Sequence, residues 1–324
     1  MRRQRSHPWA PLWLALAIPA AAAVWAQHAG EAPTAPAPDV TQLLAGTDHV
    51  RLPPPSPVVA VGIERPDRAR LRERQIVLQE ARTFWRGLIG VSPDPGLLLV
   101  DMAAWTALGL EGAYGRPGAA VRTEPDGILA VLPVTTSVFA EEAATAAGVS
   151  PYAARGVLLA SDLLSEEGAD SYAEAFSWVV VAEGLTSRLR IGSRSWWQTR
   201  LVGSAAAWLF LSAPRGADLA PGAARALEGW ARFWTAYLEP VAVSLATAVT
   251  VPPASADPRL AVELDARLVL MGLDMLSAYG LETFGLLRQA WPLDTEVRTL
   301  DEALAALWEQ MPELRGRWES RLVF

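Results

Sequence analysis

Histidine ends early in this chain, and cysteine never occurs. The three His are His7, His28 and His49, and none follows as far as Phe324. No disulfide can form, and no Cys- or Cys/His-based zinc staple is available to the body of the chain. The fold must therefore be held by its apolar core. With 51% hydrophobic residues over 324 positions, the chain has enough apolar mass for one. Lysine is missing as well: all 28 basic residues are Arg. A P-loop, a Schiff-base enzyme and a Ser–Lys dyad are excluded, and the absence of Asn removes N-glycosylation.

The formal charge is −7. An acidic chain is a poor match for phosphate, so nucleic acid is not the expected partner. The first residues read as an export signal. Arg2, Arg3 and Arg5 precede an apolar run from Ala10 to Val24, broken by Pro11 and Pro19. Val24 and Ala26 then suit a cut before Gln27. The run is short of the ~20 residues a membrane-spanning helix needs. Cleavage removes three Arg and no acid, which takes the charge from −7 to −10. The expected product is an exported protein, periplasmic or extracellular, with no stable membrane span.

The expected organisation is a signal peptide over 1–26, a Pro/Ala-rich extended linker over 27–58, a small α/β subdomain over 59–139 and a helical subdomain over 140–324. Val58–Val61, Leu97–Asp101 and Ile128–Val134 are apolar runs of strand length. Asp67–Leu88 is amphipathic, with Ile76, Val77, Ala81, Trp85 and Leu88 expected on one stripe. Met102–Leu108 reads as a short helix. Gly109–Gly127 reads as loop, and its Gly112–Gly118 stretch as a surface loop. Helices are expected over 140–147, 151–165, 171–190, 195–212, 222–237, 258–279, 281–290, 299–309 and 312–321. Ser171-x-x-Glu174 and Thr299-x-x-Glu302 have capping-box spacing. The fold class is α+β, mostly α, with the α/β layer first and the helical region after it.

Residues 173–177 read Ala-Glu-Ala-Phe-Ser. They resemble the H-E-x-x-H helix of the peptidase MA-like (gluzincin) zinc metallopeptidases, with both His replaced and Glu174 kept. Downstream, Arg194-Ser-Trp-Trp-Gln-Thr-Arg-Leu201 is similar to that family's Arg-Trp-aromatic-x-Glu-Leu segment, with Thr199 at the position of the third ligand. The resemblance covers roughly residues 60–321 and implies a zincin-like helical region. It also implies that Ala173, Glu174, Ser177 and Thr199 mark a degenerate metal site. H-E-x-x-H chemistry needs two imidazoles one helical turn apart, and a carboxylate between them to activate metal-bound water. Ala173 and Ser177 supply no imidazole. Between Gly184 and Gly216 there is no Asp or Glu. No catalytic residue, metal or cofactor is expected.

Glu174 also has a plain explanation as the N3 member of the Ser171 capping box. Glu166, Glu167, Asp170 and Glu174 form an acidic cluster. It is either the solvated start of a helix, interrupted near Gly168, or the carboxylate set of a metal-independent hydrolase. Glu263, Asp265 and Asp274 are further carboxylates that could reach toward the site. Trp196 and Trp197 point about 100° apart on a helix, so one can pack inward while the other lines a cleft. Trp230 and Trp234, with Tyr237, read as a core stripe. The function these residues support is a non-catalytic, zinc-peptidase-like exported protein that binds a protein or peptide or has a structural role. A metal-independent hydrolase and an unrelated exported helical interaction protein are the alternatives.

Overall fold

The computed structural model describes residues 49–51, 58–61, 68–93, 95–110, 114–123, 127–134, 138–139, 166–192, 195–236, 258–293 and 299–322. The expected helices over 140–147 and 151–165 lie outside these residues, as does Tyr237.

A five-stranded sheet is followed by helices. Its strands are β1 (His49–Arg51), β2 (Val58–Val61), β3 (Pro95–Val100), β4 (Ala120–Thr123) and β5 (Gly127–Pro133), in the order β1-β2-β3-β5-β4. The three inner strands run parallel, with Leu98 opposite both Val59 and Val131. Both edges are antiparallel: Val50 pairs with Ala60, and Val121 with Leu129. An inner parallel strand is covered on both faces, which is why β3 and β5 read as unbroken apolar runs. Strand alternation sends Leu97, Leu99, Ala130 and Leu132 into the main core, and Leu98, Val100 and Val131 into a smaller one. Helix α2 (Met102–Ala107) closes that smaller core with Trp105. Asp101 caps it, its Oδ1 accepting from the Ala104 N–H at 2.8 Å.

Two of the five strands were not expected as such. β1 lies inside the stretch assigned to an extended linker. β4 falls inside the segment read as loop. Each is short, and each takes its hydrogen bonds from a stronger neighbour.

Helix α1 (Arg68–Ile89) buries Leu71, Leu78, Ala81 and Trp85. The expected stripe is corrected in phase. Ile76 is 50% exposed and Leu88 38%, while Leu71 and Leu78 take the inward positions. Trp85 is fully buried, and its indole N–H donates to the Ala206 carbonyl at 2.9 Å.

The remaining helices are α3 (Glu166–Glu183), α4 (Leu185–Arg188), α5 (Trp196–Ser212), α6 (Pro214–Leu219), α7 (Ala223–Ala236), α8 (Pro258–Tyr279), α9 (Glu282–Ala290), α10 (Leu300–Gln310) and α11 (Pro312–Leu322). The chain is mostly helical, an α+β fold with a small sheet. Helix α3 packs on β5, α5 and α7, and α5 packs on α8. The Thr299 box forms as expected: the Thr299 N–H donates to Glu302 Oε2 at 3.0 Å, and the Glu302 N–H donates to Thr299 Oγ1 at 3.3 Å. The Ser171 box does not form. Over its described residues, Glu166–Glu183, helix α3 runs unbroken through Gly168 and Ser171, so Ser171 is an interior position. Among the described residues no helix is long and apolar enough to cross a membrane.

Candidate functional site

The resemblance directs attention to α3 and α5. Ala173 and Ser177 sit one turn apart on α3, both buried. Ser177 Oγ donates to the Glu174 carbonyl of its own helix at 2.6 Å. Thr199, half-buried on α5, donates to the Trp196 carbonyl at 2.7 Å. Both hydroxyls are thus turned back onto their own backbones. Glu174 is not a capping residue. It is partly exposed and forms an ion pair with Arg74 of α1. The two side chains are 18% and 25% exposed, and a pair still in contact with solvent contributes little. Glu174→Gln is therefore expected to cost about 1 kcal/mol or less in urea unfolding, with no change in secondary structure by circular dichroism.

Helix α3 being continuous, Glu167, Asp170 and Glu174 share one helical face at spacings of three and four. The expected interruption near Gly168 is absent. Trp197 is buried with its ring edge-on to Trp291, centroids 5.3 Å apart, so it lines no open cleft. Trp196 is half-buried. Trp230 and Trp234 are core residues, as read; Trp230 stacks on Tyr172 at 4.9 Å.

The buried charges of this region lie beside the motif positions, Glu183 six residues beyond Ser177 on α3 and Arg200 next to Thr199 on α5. Glu183 ends α3, Arg200 lies in the first turns of α5, and Asp265 faces them from α8. Arg200 Nε stands 2.7 Å from Glu183 Oε1 and 3.4 Å from Asp265 Oδ1. Its guanidinium carbon lies 4.9 Å from the Phe176 ring centroid. All three charged side chains are buried. A charge is tolerated at such depth only when paired.

Of the stretch read as a surface loop, Gly112 and Ala113 lie outside the described residues, and residues 114–118 are not on the surface but pack against this cluster. Tyr114, Gly115, Arg116 and Pro117 are buried. The Tyr114 hydroxyl donates to the Val100 carbonyl at 2.8 Å and accepts from the Val134 N–H at 2.9 Å, which pins the loop across β3 and the end of β5. Gly118 has φ +82°. A Cβ there would stand 3.1 Å from Arg200 Nη1 and 3.2 Å from Asp265 Oδ2. Glycine satisfies the backbone conformation and the close approach together.

The electrostatics follow from depth and pairing. Burial raises the Asp265 carboxyl above its ordinary range, while Arg200 and Arg116 pull the other way. Burial alone would lower Arg200. Asp265, Glu183 and Tyr172 outweigh it and hold the guanidinium above its usual value. Tyr172 is pushed far up by burial and then by Asp265, with Arg200 opposing. Its hydroxyl has no hydrogen-bond partner among the described residues. The cluster joins α3, α5 and α8 beneath the glycine loop.

Of the other carboxylates read as able to reach in, Asp265 does so, but toward Arg200. Glu263 is paired with Arg267 on its own helix. Among the described residues no three His, Cys, Asp or Glu side chains gather as a metal site requires. Glu183, Arg200 and Arg116 were not singled out in the sequence. The available signal was a lone charge inside an apolar run, Glu183 after Trp178–Ala182 and Arg200 before Leu201–Ala207.

Compared with family models, curated proteins and solved structures, the chain matches none.

Proposed function

We propose that this is an exported, non-catalytic protein with a zinc-peptidase-like arrangement and a defunct metal site, serving to bind a protein or peptide or to support structure. The carrying observation is the closed charge cluster. On the helices that bear the motif positions, the buried charges Glu183 and Arg200 are paired, and Arg200 also faces the buried Asp265 of α8. The hydroxyls of Ser177 and Thr199 are bound to their own helices. Chemistry that activates water needs a ligand set or a base free to take a proton. Here the groups nearest the motif are already spent. The α/β layer followed by packed helices supports the same reading, as does the close packing of α3 on α5. The acidic balance of the chain favours a protein or peptide partner over nucleic acid. Export rests on the basic, then apolar, first 26 residues.

The test is metal analysis after purification without chelator, paired with hydrolysis of casein and a peptide library. The expected result is zinc far below one per chain and no chelator-sensitive cleavage. Stoichiometric zinc, or activity lost on Glu174→Gln, would overturn the proposal.

A further inference from the structure

A second region of the molecule, away from α3 and Asp265, has features that packing alone does not account for. The last turn of α1, the residue after α4 and one face of α9 with the residue before it border an open pocket of about 230 Å³. Its walls are Leu88, Ile89, Leu189, Leu281 and Phe284. Two of these are among the few large apolar side chains the protein leaves open: Leu88 at 38% and Leu281 at 46% exposed. The pocket does not close over them.

Gly285 lies in the middle of α9 and lines this pocket. Its φ is not positive, and an added Cβ would meet nothing within 4 Å. Glycine is the poorest helix former after proline. Neither backbone conformation nor steric closeness requires it here. What its missing side chain does is keep the wall open.

Arg288 lines the same pocket one turn on. It is exposed, and no acid among the described residues pairs with it. Leu281, Gly285 and Arg288 fall at i, i+4 and i+7, one face of the helix. Along about 10 Å of helix axis the order is an apolar wall, an open gap and a cation.

We infer that this pocket binds a medium-chain monocarboxylate, its apolar tail against Leu88, Leu281 and Phe284 and its carboxylate on the Arg288 guanidinium. The tail covers the two leucines that the fold leaves open. The head supplies the charge-assisted partner that Arg288 lacks, and a guanidinium fork matches a carboxylate in shape. The backbone around the pocket is held firmly. The Gly192 N–H donates to the Trp291 carbonyl at 2.7 Å, and Ile191 bridges Pro292 beside it. These contacts tie the segment after Leu189 to the end of α9, next to the pocket's lining residues rather than within it. None of this rests on the degenerate motif on α3, so its failure would leave the proposed function standing.

Isothermal titration of the full chain with octanoate, 1-octanol and octylamine tests the assignment. Octanoate should bind saturably. Octanol should bind on the order of tenfold more weakly, the loss expected for one charge-assisted contact, and octylamine weaker still. Arg288→Gln should bring octanoate down to the level of octanol. Gly285→Leu should abolish binding of both while leaving the melting temperature no lower, because it fills open space and improves the helix. The inference is overturned if octanoate gives no saturable heat below its micellar range, if octanol binds as well as octanoate, or if Gly285→Leu leaves binding intact. It is equally overturned if sedimentation shows a dimer that Gly285→Leu dissociates and octanoate does not. The exposed leucines would then be an interface between copies of the chain.

Discussion

Arg200→Met is expected to destabilise the protein by about 3–5 kcal/mol at neutral pH, the cost of leaving buried carboxylates without their counter-ion. Methionine fills nearly the same space, so the loss reports charge rather than volume. Glu183 and Asp265 both face this one guanidinium from within 3.4 Å, and both are buried. The matching control is the triple variant Glu183→Gln/Arg200→Met/Asp265→Asn. Removing all three charges should recover part of the loss, because one missing partner costs more than an absent cluster, while Arg116, which also acts on Asp265, loses that carboxylate.

The pH dependence has a definite sign. The Asp265 pKa is raised on folding, so the folded state holds that proton more tightly than the unfolded chain. The resulting contribution is fully present below the ordinary carboxylate range and is lost as pH rises through the raised value. In Arg200→Met the main opposing cation is gone and the Asp265 carboxyl rises further. The gap between wild type and variant should therefore narrow as the pH is lowered. Urea unfolding at neutral and acid pH measures it. A loss under about 1 kcal/mol, or one unchanged by pH, would mean the cluster does not carry the junction of α3, α5 and α8.

Much of the helical half was legible because its boundaries are local. Pro258 opens α8 and Gly280 follows its end, and the structure places that helix at Pro258–Tyr279. Thr299 and Glu302 cap α10 through contacts three residues apart. The inner strands were legible because a strand covered on both faces is an uninterrupted apolar run. Failures came where the deciding partner is distant in sequence. Ser171-x-x-Glu174 has the spacing of a cap, but Glu174 is engaged by Arg74, a hundred residues earlier. Helix α3 runs through Ser171, so the serine lies inside a helix rather than at its start. Ala120–Thr123 has no apolar signature, and only its register with β5 makes it a strand. Leu88 looked like core on periodicity, yet it borders a pocket. At the site itself, Glu183 and Arg200 were visible only as isolated charges in apolar runs. Their pairing through α8 is a product of the tertiary fold.

The close approach of α3 and α5 yields the second large effect. Gly203→Ala should destabilise the protein by about 1–3 kcal/mol, the usual cost of inserting atoms into a filled core. An ideal Cβ on Gly203 would stand 2.5 Å from the Val179 carbonyl oxygen and 3.2 Å from the Glu183 backbone nitrogen. Both obstacles are backbone atoms of the last turn of a packed helix, so neither can rotate aside as a side chain would. The helices must separate, and Glu183 would move away from Arg200 as they do. Helix α5 has no slack on its other side. A Cβ on Gly272 of α8 would meet the Ala205 backbone nitrogen at 2.9 Å. Intrinsic propensity argues the opposite sign, since alanine is favoured over glycine in a helix by roughly 1 kcal/mol. The same substitution at Gly87 of α1, where nothing lies within 4 Å of the added atom, isolates that propensity gain. Gly87→Ala should therefore raise the urea midpoint and Gly203→Ala should lower it. If Gly203→Ala is neutral or stabilising, α3 and α5 are not in backbone contact. In that case Glu183, held at the end of α3, has lost the geometry that brings it within reach of Arg200.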